Sequence, residues 1–288
     1  MGSSLGKLHW SLDVLSLFNG VYLSLALLSA VALALLKRRR WARFALALSL
    51  ANALVFAPYL PLKGGQTSAG ELTLYVHNLY YQNDVLETAV ARAKAENPDL
   101  VFLMEVRYEV AAQLEAAFSE YPYQLLEPSR YTMGLALFSR YPLTDAEVIR
   151  DEVTRIPVIR AGLALPHEET ATFVGGHPWP PLGRWGALHR AQVGAVAEVA
   201  AGVDGPLVVA GDFNSAAWSS ELRGLRRDAG LRDARLGFGL RPTWRMAGLP
   251  ILHLDHVFVS ADWQLGGVRQ LHVTGSDHDA LVTRLSLP

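Results

Sequence analysis

The sequence predicts an α/β domain of two packed β-sheets flanked by helices, preceded by a hairpin of two apolar helices. Two observations predict the domain. Strand-like and helix-like patterns alternate after residue 71, and several apolar runs end in a carboxylate, an amide or an imidazole. A third observation predicts the hairpin, because two long uncharged runs lie near the N-terminus on either side of a short basic segment.

The two uncharged runs cover residues 14–36 and 44–62, and each is about as long as a helix that crosses a hydrocarbon core of roughly 30 Å. The segment between them holds five cations, namely Lys37, Arg38, Arg39, Arg40 and Arg43. Two buried helices would rarely be joined by such a loop and lack a polar face. A cleaved signal peptide would rarely be followed by so strong a basic stop signal. We therefore expect transmembrane helices over about 14–36 and 41–62.

Because basic residues in short loops stay in the cytoplasm, we expect the rest of the chain to lie outside the cytoplasmic membrane. The small residues of 64–70 predict a linker between an anchor over 1–63 and a folded domain over 71–288. The absence of cysteine suits an oxidising exterior. Residues 64–288 hold 19 basic and 26 acidic side chains, a formal charge of −7, which disfavours a long nucleic-acid backbone as the partner.

The elements of the domain follow from local patterns. Apolar runs bounded by turn residues predict strands over 72–78, 99–106, 134–143, 161–166, 170–178, 206–214, 254–260 and 281–287. Apolar residues at helical spacing predict helices over 84–95, 107–119, 185–202 and 218–230, the third of which ends at Gly202.

Polar groups that can hold a metal or a phosphate stand at the ends of these apolar runs. They are Asn78, Glu105, His177, Asp212, Asn214, Asp255, His256, Asp277 and His278. A buried strand would deliver each group to the rim of a sheet, and such convergence suits the metal-assisted attack of water on a phosphate ester. The sequence contains no cysteine, and the predicted domain contains no GxSxG motif, so a covalent nucleophile has no support.

The order of these motifs resembles the endonuclease/exonuclease/phosphatase superfamily over about residues 71–288. The resemblance is carried by Asn78, by MEV with Glu105, and by LFSRYPL, GGHPWPP, GDFN, LDHVFVS and SDH. It implies a DNase-I-like four-layer α/β/β/α sandwich. It also implies a metal-dependent hydrolase of phosphate ester or anhydride bonds, with Mg²⁺ or Mn²⁺ as the cofactor.

The HPWPP segment, RPTW at 241–244 and the N-terminal hairpin are similar to a membrane-anchored bacterial branch of that superfamily. This branch includes glycopeptide-resistance proteins that resemble lipid-pyrophosphate phosphatases. Two departures are visible. Asp279 and Ala280 follow SDH where relatives usually have Arg-Pro, and Gly176 precedes HP where relatives usually have Thr.

The metal and the attacking water are assigned to carboxylates and one amide. Glu105 is a hard oxygen ligand at a strand end, of the type that Mg²⁺ and Mn²⁺ prefer. Asp277 and Asn78 are expected beside it as further metal ligands. Asp212 is expected to orient or deprotonate the attacking water.

The remaining groups are assigned to the phosphate. Asn214 and Asn78 can donate to phosphoryl oxygens, and His177 is a candidate acid or second phosphate donor. The resemblance implies that Asp255 orients the His278 imidazole toward the phosphate. His256 is ambiguous, and we expect it to be a packed strand residue.

The favoured function is hydrolysis of a lipid-linked phosphate or pyrophosphate at the outer face of the membrane, where the anchor raises the effective concentration of such a substrate. The alternatives are an anchored nuclease and a catalytically dead binding or scaffold protein. No protein partner is predicted. Trp179, Trp185, Trp218 and Trp244 lie near the site motifs, either as core and rim packing or as an apolar lip for a lipid tail.

Overall fold

The computed structural model describes residues 9–63, 72–150 and 152–288. The predicted linker over 64–70 lies outside the described residues. Two six-stranded sheets face each other, and helices cover the outer face of each. The predicted α/β/β/α sandwich is therefore confirmed.

The four predicted helices and the eight predicted strands of the domain are present. The helices are α1 (Trp10–Val14), α2 (Asn19–Leu35), α3 (Arg39–Phe56), α4 (Leu86–Ala95), α5 (Tyr108–Ala117), α6 (Gly186–Ala201) and α7 (Ser220–Asp228). The strands are β1 (Leu72–Asn78), β2 (Leu100–Met104), β3 (Tyr123–Glu127), β4 (Leu135–Ser139), β5 (Leu143–Arg150), β6 (Pro157–Ala164), β7 (Thr170–Gly176), β8 (Leu207–Asp212), β9 (Arg232–Asp233), β10 (Trp244–Met246), β11 (Leu249–Leu252), β12 (Asp255–Val259), β13 (Gln264–Leu271) and β14 (Ala280–Ser286). Six of these strands, β3, β5, β9, β10, β11 and β13, were not predicted.

The first sheet has the order β13-β14-β1-β2-β4-β3 and the second has the order β5-β6-β7-β8-β12-β9. The pairs β1–β2 and β7–β8 are parallel, whereas the other pairs are antiparallel. A separate antiparallel pair, β10–β11, lies between β9 and β12 in the chain. The central strands β1, β2, β8 and β12 are the ones that carry most of the predicted site residues.

Alternation along the strands separates an inner apolar core from the outer faces. Leu74 and Val76 of β1, Ala210 of β8 and Val257 of β12 are buried between the two sheets. Since successive side chains point to opposite faces, a residue two positions beyond an inner residue also faces inward. The inner faces of β1, β8 and β12 therefore continue into Asn78, Asp212 and Asp255 at the strand ends.

The helices bury apolar faces on the outer sides of the sheets. Helices α4 and α5 pack on the first sheet through residues such as Ala89 and Leu114. Helices α6 and α7 pack on the second sheet through residues such as Val196 and Leu222, beside Val209 and Phe258. Buried apolar side chains of this size each stabilise the fold by about 1.5–3 kcal/mol, so both helical layers are strongly held.

The N-terminal helices α2 and α3 pack against each other and expose large apolar side chains along most of their length. The helical stretches Trp10–Leu35 and Arg39–Tyr59 are long and apolar enough to cross a membrane. The second stretch stops three residues before the predicted end at residue 62. Its last turn, Ala57–Tyr59, is a 3-10 helix that contains Pro58, whose ring does not fit the interior of an α-helix.

One end of this hairpin is bound directly to the α/β domain. The Asp13 carboxylate accepts hydrogen bonds of 2.8 and 2.9 Å from the backbone N–H of Ser220, at the start of α7, where a negative charge is favourable. The indole of Trp218 donates to the carbonyl of Ser16 at 2.6 Å, and the ring of Phe56 meets it edge-on at 5.0 Å. The hairpin and the domain therefore form a joint with buried polar bonds.

Candidate active site

The site lies where the inner faces of the two sheets end. Asn78 at the end of β1 donates hydrogen bonds of 3.0 Å from Nδ2 to Oδ2 of Asp212, at the end of β8, and to Oε1 of Glu105. Asp255 is paired with Asp212 in the ladder between β12 and β8. The ends of four strands, β1, β2, β8 and β12, thus bring these four residues together.

A close approach between β7 and β8 sets the position of Asp212. A side chain on Gly211 would bring its Cβ to 1.9 Å from the carbonyl oxygen of Gly176, so only glycine fits there. The chain then turns sharply, because Asn214 has a φ of 48° and its N–H donates to Oδ1 of Asp212 at 2.8 Å. Asn214 suits this turn, since asparagine tolerates the left-handed region.

The His278 imidazole lies between two carboxylates. Its Nδ1 is 2.7 Å from Oδ2 of Asp255, and its Nε2 is 3.6 Å from Oδ2 of Asp212. Burial disfavours the charged ring, but the charges of Asp255 and Asp212 raise the pKa of His278 to about 10. Burial also raises the pKa of the Asp255 carboxyl. Because the pKa of His278 is about 10, we assign the proton between Asp255 and His278 to the ring, which carries a positive charge at neutral pH.

His177 approaches the same carboxylate from β7. Its Nδ1 is 3.0 Å from the carbonyl oxygen of Thr132, to which it donates, and its Nε2 is 3.5 Å from Oδ2 of Asp212. Burial opposes the charged form, yet the hydrogen bond and charge of Asp212, with the charge of Glu105, raise the pKa of His177. Despite its own burial, Asp212 has a pKa held below its usual range by His278 and His177.

Glu105 and Asp277 are the carboxylates that fit a divalent cation. Burial raises the pKa of the Glu105 carboxyl, and the nearby charge of Asp212 adds to that effect, so a cation there would offset unfavourable negative charge. Within the described part of the chain, Oδ1 of Asp277 is buried without a hydrogen-bond partner, while Oδ2 accepts from the indole of Trp244 at 3.0 Å. Hard oxygen donors of this kind suit Mg²⁺ or Mn²⁺.

Asn78, expected as a third metal ligand, is turned the other way. Its Oδ1 accepts a hydrogen bond of 2.9 Å from the N–H of Tyr80, and its Nδ2 points at the two carboxylates. In this arrangement Asn78 donates to both Glu105 and Asp212 and links the two carboxylates. Its role as a metal ligand stays a prediction.

A second group of potential ligands is less suited to a cation. Ligand atoms of Asp212, Asp255 and His278 lie within 4.8 Å of one another. A protonated imidazole has no free lone pair for a metal. His278 itself could join such a cation site only after losing its proton, whereas the charged ring is well placed to bind an anion.

These groups line one pocket of about 420 Å³. Glu105, His177, Asp212, Asp277 and His278 supply the polar part. The rest of the wall contains many apolar and aromatic side chains, namely Tyr80, Tyr81, Trp179, Pro180, Leu182, Trp185 and Trp244. The pocket thus joins a charged end to an apolar wall.

His256 faces away from this pocket. Its Nε2 donates to the carbonyl of Ser215 at 2.7 Å, and its Nδ1 contacts the guanidinium of Arg235. Burial, with the charge of Arg235, lowers the pKa of His256 to about 3. The ring is neutral and packed, which agrees with the expectation for this residue.

His189, which supports the pocket from behind, was not predicted from the sequence. Its Nδ1 donates to the carbonyl of Trp179 at 2.6 Å, and the Ser215 hydroxyl lies 3.0 Å from its Nε2. One helical turn later, Gln192 accepts from the N–H of Trp179 at 2.7 Å. The available signal was a histidine and a glutamine three positions apart on the apolar face of an alanine-rich helix.

The departure at Asp279 is accommodated by an arginine from another strand. The buried Asp279 carboxylate accepts hydrogen bonds of 3.0 and 2.9 Å from Arg245, next to β10 residue Trp244. Gln270 also donates to it at 2.6 Å, and His272 lies 3.0 Å away. Asp279 is therefore saturated by its neighbours and places no free negative charge at the pocket.

A model of the Endonuclease/Exonuclease/phosphatase family matches residues 75–278. No curated protein matches the chain. Among solved structures, an endonuclease/exonuclease/phosphatase from Beutenbergia cavernae is 19% identical, with a TM-score of 0.61 over 75% of this chain and 71% of that one. The human Nocturnin catalytic domain with bound sulfate is 19% identical, with a TM-score of 0.61 over 75% and 94% of the two chains.

A third structure of this fold is a 3′ phosphatase from Neisseria, NExo, bound to a product DNA hairpin. It is 17% identical, with a TM-score of 0.61 over 75% of this chain and 99% of that chain. Each of these structures aligns with 75% of this chain at 17% or 19% sequence identity. Together they support the fold, while the family model carries the assignment to a family.

Proposed function

Because the chain belongs to the Endonuclease/Exonuclease/phosphatase family, whose members hydrolyse phosphoester bonds, we propose that it is a metal-dependent phosphoesterase. One observation carries this proposal. Asp212 lies at the centre of the pocket, within 3.0 Å of the Asn78 amide and 3.5 and 3.6 Å from two buried imidazoles. An ionised carboxylate can orient a water molecule, and the cationic donors beside it can bind an anion at the same time.

In the proposed reaction, Asp212 orients the attacking water and takes its proton. Its depressed pKa keeps the carboxylate ionised at neutral pH, so it can accept a hydrogen bond from the water. Because a low pKa also makes it a weak base, the proton moves to Asp212 only as the water attacks. The charged His278 ring binds a phosphoryl oxygen, and Asp255 fixes which ring nitrogen faces the pocket. No covalent enzyme intermediate is needed, because water itself attacks.

His177 and Asn214 complete the donor set on the opposite side of Asp212. His177 is fixed by its bond to the Thr132 carbonyl, so its Nε2 points to the pocket. The Asn214 amide donates to the Pro178 carbonyl at 3.1 Å, which holds it close to the same oxygen sites. A divalent cation held by Glu105 and Asp277 would neutralise charge on the phosphate and its leaving group.

We further propose that the substrate phosphate is linked to a lipid and that the protein is anchored in the cytoplasmic membrane, with the domain outside. Two apolar helices of sufficient length support an anchor. The basic residues at their far end support a cytoplasmic loop. The joint at Asp13 and Trp218 would hold the pocket at a fixed place beside the bilayer.

Nucleic acid is the second candidate substrate, because the Neisseria structure of the same fold holds product DNA. The charge of residues 64–288 weighs against it. A formal charge of −7 repels a polyanion unless a local basic patch compensates.

The activity test uses purified full-length protein in detergent with Mg²⁺. A long-chain polyprenyl pyrophosphate, a soluble phosphodiester and a supercoiled plasmid are supplied in parallel. We expect lipid-pyrophosphate turnover that chelation abolishes and that Asp212→Asn lowers about 10³-fold, within the range for losing a general base. The matched control is Asp228→Asn, an exposed carboxylate paired with Arg227. Plasmid nicking without lipid turnover would reassign the substrate, and inertness on all three would refute the proposal.

The membrane orientation is tested separately, and the lack of cysteine makes this simple. Single cysteines are introduced at Arg40, in the basic segment at the start of α3, and at Tyr123, on the exposed edge strand β3. We expect a membrane-impermeant maleimide to label Tyr123→Cys in intact cells and Arg40→Cys only after lysis. The reverse pattern would invert the proposed orientation.

A further inference from the structure

The apolar wall of the pocket is a continuous surface that the proposed reaction does not use. Trp179 and Trp185 stack with ring centroids 4.9 Å apart and planes at 10°. Leu182 stands beside them in the same pocket and is 59% exposed. We call Trp179, Leu182 and Trp185 the lip. The lip is therefore an exposed apolar surface at the edge of a charged pocket. None of its three side chains has a role in the proposed reaction.

The lip is held in place from behind. Both backbone polar groups of Trp179 are bonded to α6, the N–H to Gln192 and the carbonyl to His189. The buried His189 has a pKa lowered to about 4 by burial, so its neutral ring keeps this bond across the neutral range. A surface supported in this way is preformed, and a ligand would not have to order it.

The lip also borders the N-terminal hairpin. The Trp10 ring packs on Gly186, where an added Cβ would come within 2.1 Å of the indole. Gly186 directly follows Trp185. The residue that begins the first apolar helical stretch therefore lies against the backbone next to Trp185, which places the start of that stretch close to the lip. Tryptophan is favoured where a membrane-spanning helix meets the interface.

The Trp185 ring is poorly suited to stacking a nucleobase. Trp179 stacks on it, and the Arg184 guanidinium lies 4.5 Å from the centroid of the Trp185 ring. Base recognition by stacking needs a free aromatic face. An aliphatic chain needs only apolar edges, such as those of Leu182 and the two indoles.

We infer that the lip binds the apolar chain of a membrane lipid whose phosphate group lies in the pocket, and that Leu182 and Trp185 determine the preference for long-chain substrates. This inference rests on the proposed function and adds the residues that select the lipid. The chain would leave the pocket over Leu182 and pass Trp10 toward the bilayer. Selectivity arises because only a long chain covers the lip and removes it from water.

The test compares two substrates with the same head group, a five-carbon prenyl pyrophosphate and a long-chain polyprenyl pyrophosphate, on full-length protein in detergent micelles. The variants are Leu182→Ser and Trp185→Ala. The control is Tyr123→Ser, which changes an exposed aromatic residue at the opposite end of the first sheet. For each protein, kcat/KM is measured on both substrates and expressed as the ratio of long to short.

We expect this ratio to fall about tenfold in Leu182→Ser and Trp185→Ala, mainly through a higher KM for the long substrate, and to stay at the wild-type value in Tyr123→Ser. A ratio near one in the wild type, or an unchanged ratio in both lip variants, would overturn the inference. Leu182→Ser decides the matter if Trp185→Ala fails to fold, because Leu182 is largely exposed. Wild-type inertness on both substrates would instead count against the proposed function.

Discussion

Asp255 and His256 are neighbours on β12, yet their side chains face opposite sides of the second sheet and enter two different clusters. Asp255 faces the pocket, where its Oδ2 is 2.7 Å from the His278 ring. His256 faces the helical layer, where it contacts Arg235 and stacks on Phe258 with centroids 5.2 Å apart. We call the first group the pocket cluster and the second the packed cluster.

The two clusters give their imidazoles opposite charge states. Both rings are buried, and burial alone disfavours the charged form of each. Carboxylates flank His278 and raise its pKa to about 10, whereas Arg235 next to His256 helps to lower its pKa to about 3. The sign of the neighbouring charge, rather than the depth of burial, separates a ring that can bind phosphate from one that only packs.

The packed cluster should matter most for stability. Asp233→Ala would leave the Arg235 guanidinium buried without its carboxylate, which now bonds it at 2.8 and 3.0 Å. We expect the free energy of unfolding to fall by about 4 kcal/mol, typical of breaking a buried ion pair. Denaturant unfolding of the full-length protein in detergent measures this.

Two controls accompany the prediction for Asp233→Ala. In the exposed pair of Arg227 and Asp228, Asp228→Ala should lower the free energy of unfolding by less than about 1 kcal/mol. The folded fraction of Asp233→Ala should keep the turnover of the wild type within about twofold. Loss of turnover beyond the loss of folded protein would mean that the two clusters are not separate.

The pocket cluster should matter most for turnover. Asp255→Asn keeps the shape of the side chain but removes the charge that holds the proton on His278. We expect kcat per folded molecule to fall about 100-fold, equivalent to about 2.7 kcal/mol. Steady-state turnover on the best substrate measures this, and a loss smaller than threefold would separate Asp255 from the reaction.

The next largest effect is expected at low pH, where Asp233, the carboxylate that pairs with Arg235 in the packed cluster, becomes protonated. Despite burial, Arg235 lowers the folded-state pKa of Asp233 to about 2, below its ordinary value of 3.8. Its stabilisation is therefore complete above about pH 4 and is lost as the pH falls through about 2, a loss of about 2 kcal/mol. Unfolding measured across this range should give a shallower acid slope for Asp233→Asn than for the wild type. Equal slopes would contradict the assignment.

The smallest effect is expected at Thr243, which supports the strand end that carries Asp255. Its buried hydroxyl accepts a hydrogen bond of 3.1 Å from the N–H of Asp255. Thr243→Val keeps the shape but leaves that N–H unsatisfied, at a cost of about 1 kcal/mol. Thermal unfolding against wild type is the measurement, and an unchanged midpoint would show that another group replaces the hydroxyl.

The sequence predicted the strand ends well because the relevant signal is local. Asn78 and Asp212 each end an apolar run and Asp255 begins one, and a period of two residues places them on the same face as the nearest core residues of their strands. Alternation also requires Asp255 and His256 to face opposite sides. It does not say which side holds the pocket, since that depends on the partner sheet.

Long-range partners were not predictable from local pattern. His256 was ambiguous because Arg235, which decides its charge, lies 21 positions earlier in the sequence. The orientation of the Asn78 amide depends on Tyr80 and on carboxylates from two other strands. The joint between Asp13 and α7 spans 207 positions, so the uncharged run at 14–36 gave no sign of it.

The most direct test of this division compares His278→Gln with His256→Gln in one preparation, by turnover per folded molecule on the best phosphoester substrate. We predict that the His278 variant loses about 10³-fold in kcat, whereas the His256 variant stays within about twofold of wild type and loses only stability. Equal losses of turnover in the two variants, or a larger loss at His256, would contradict the account.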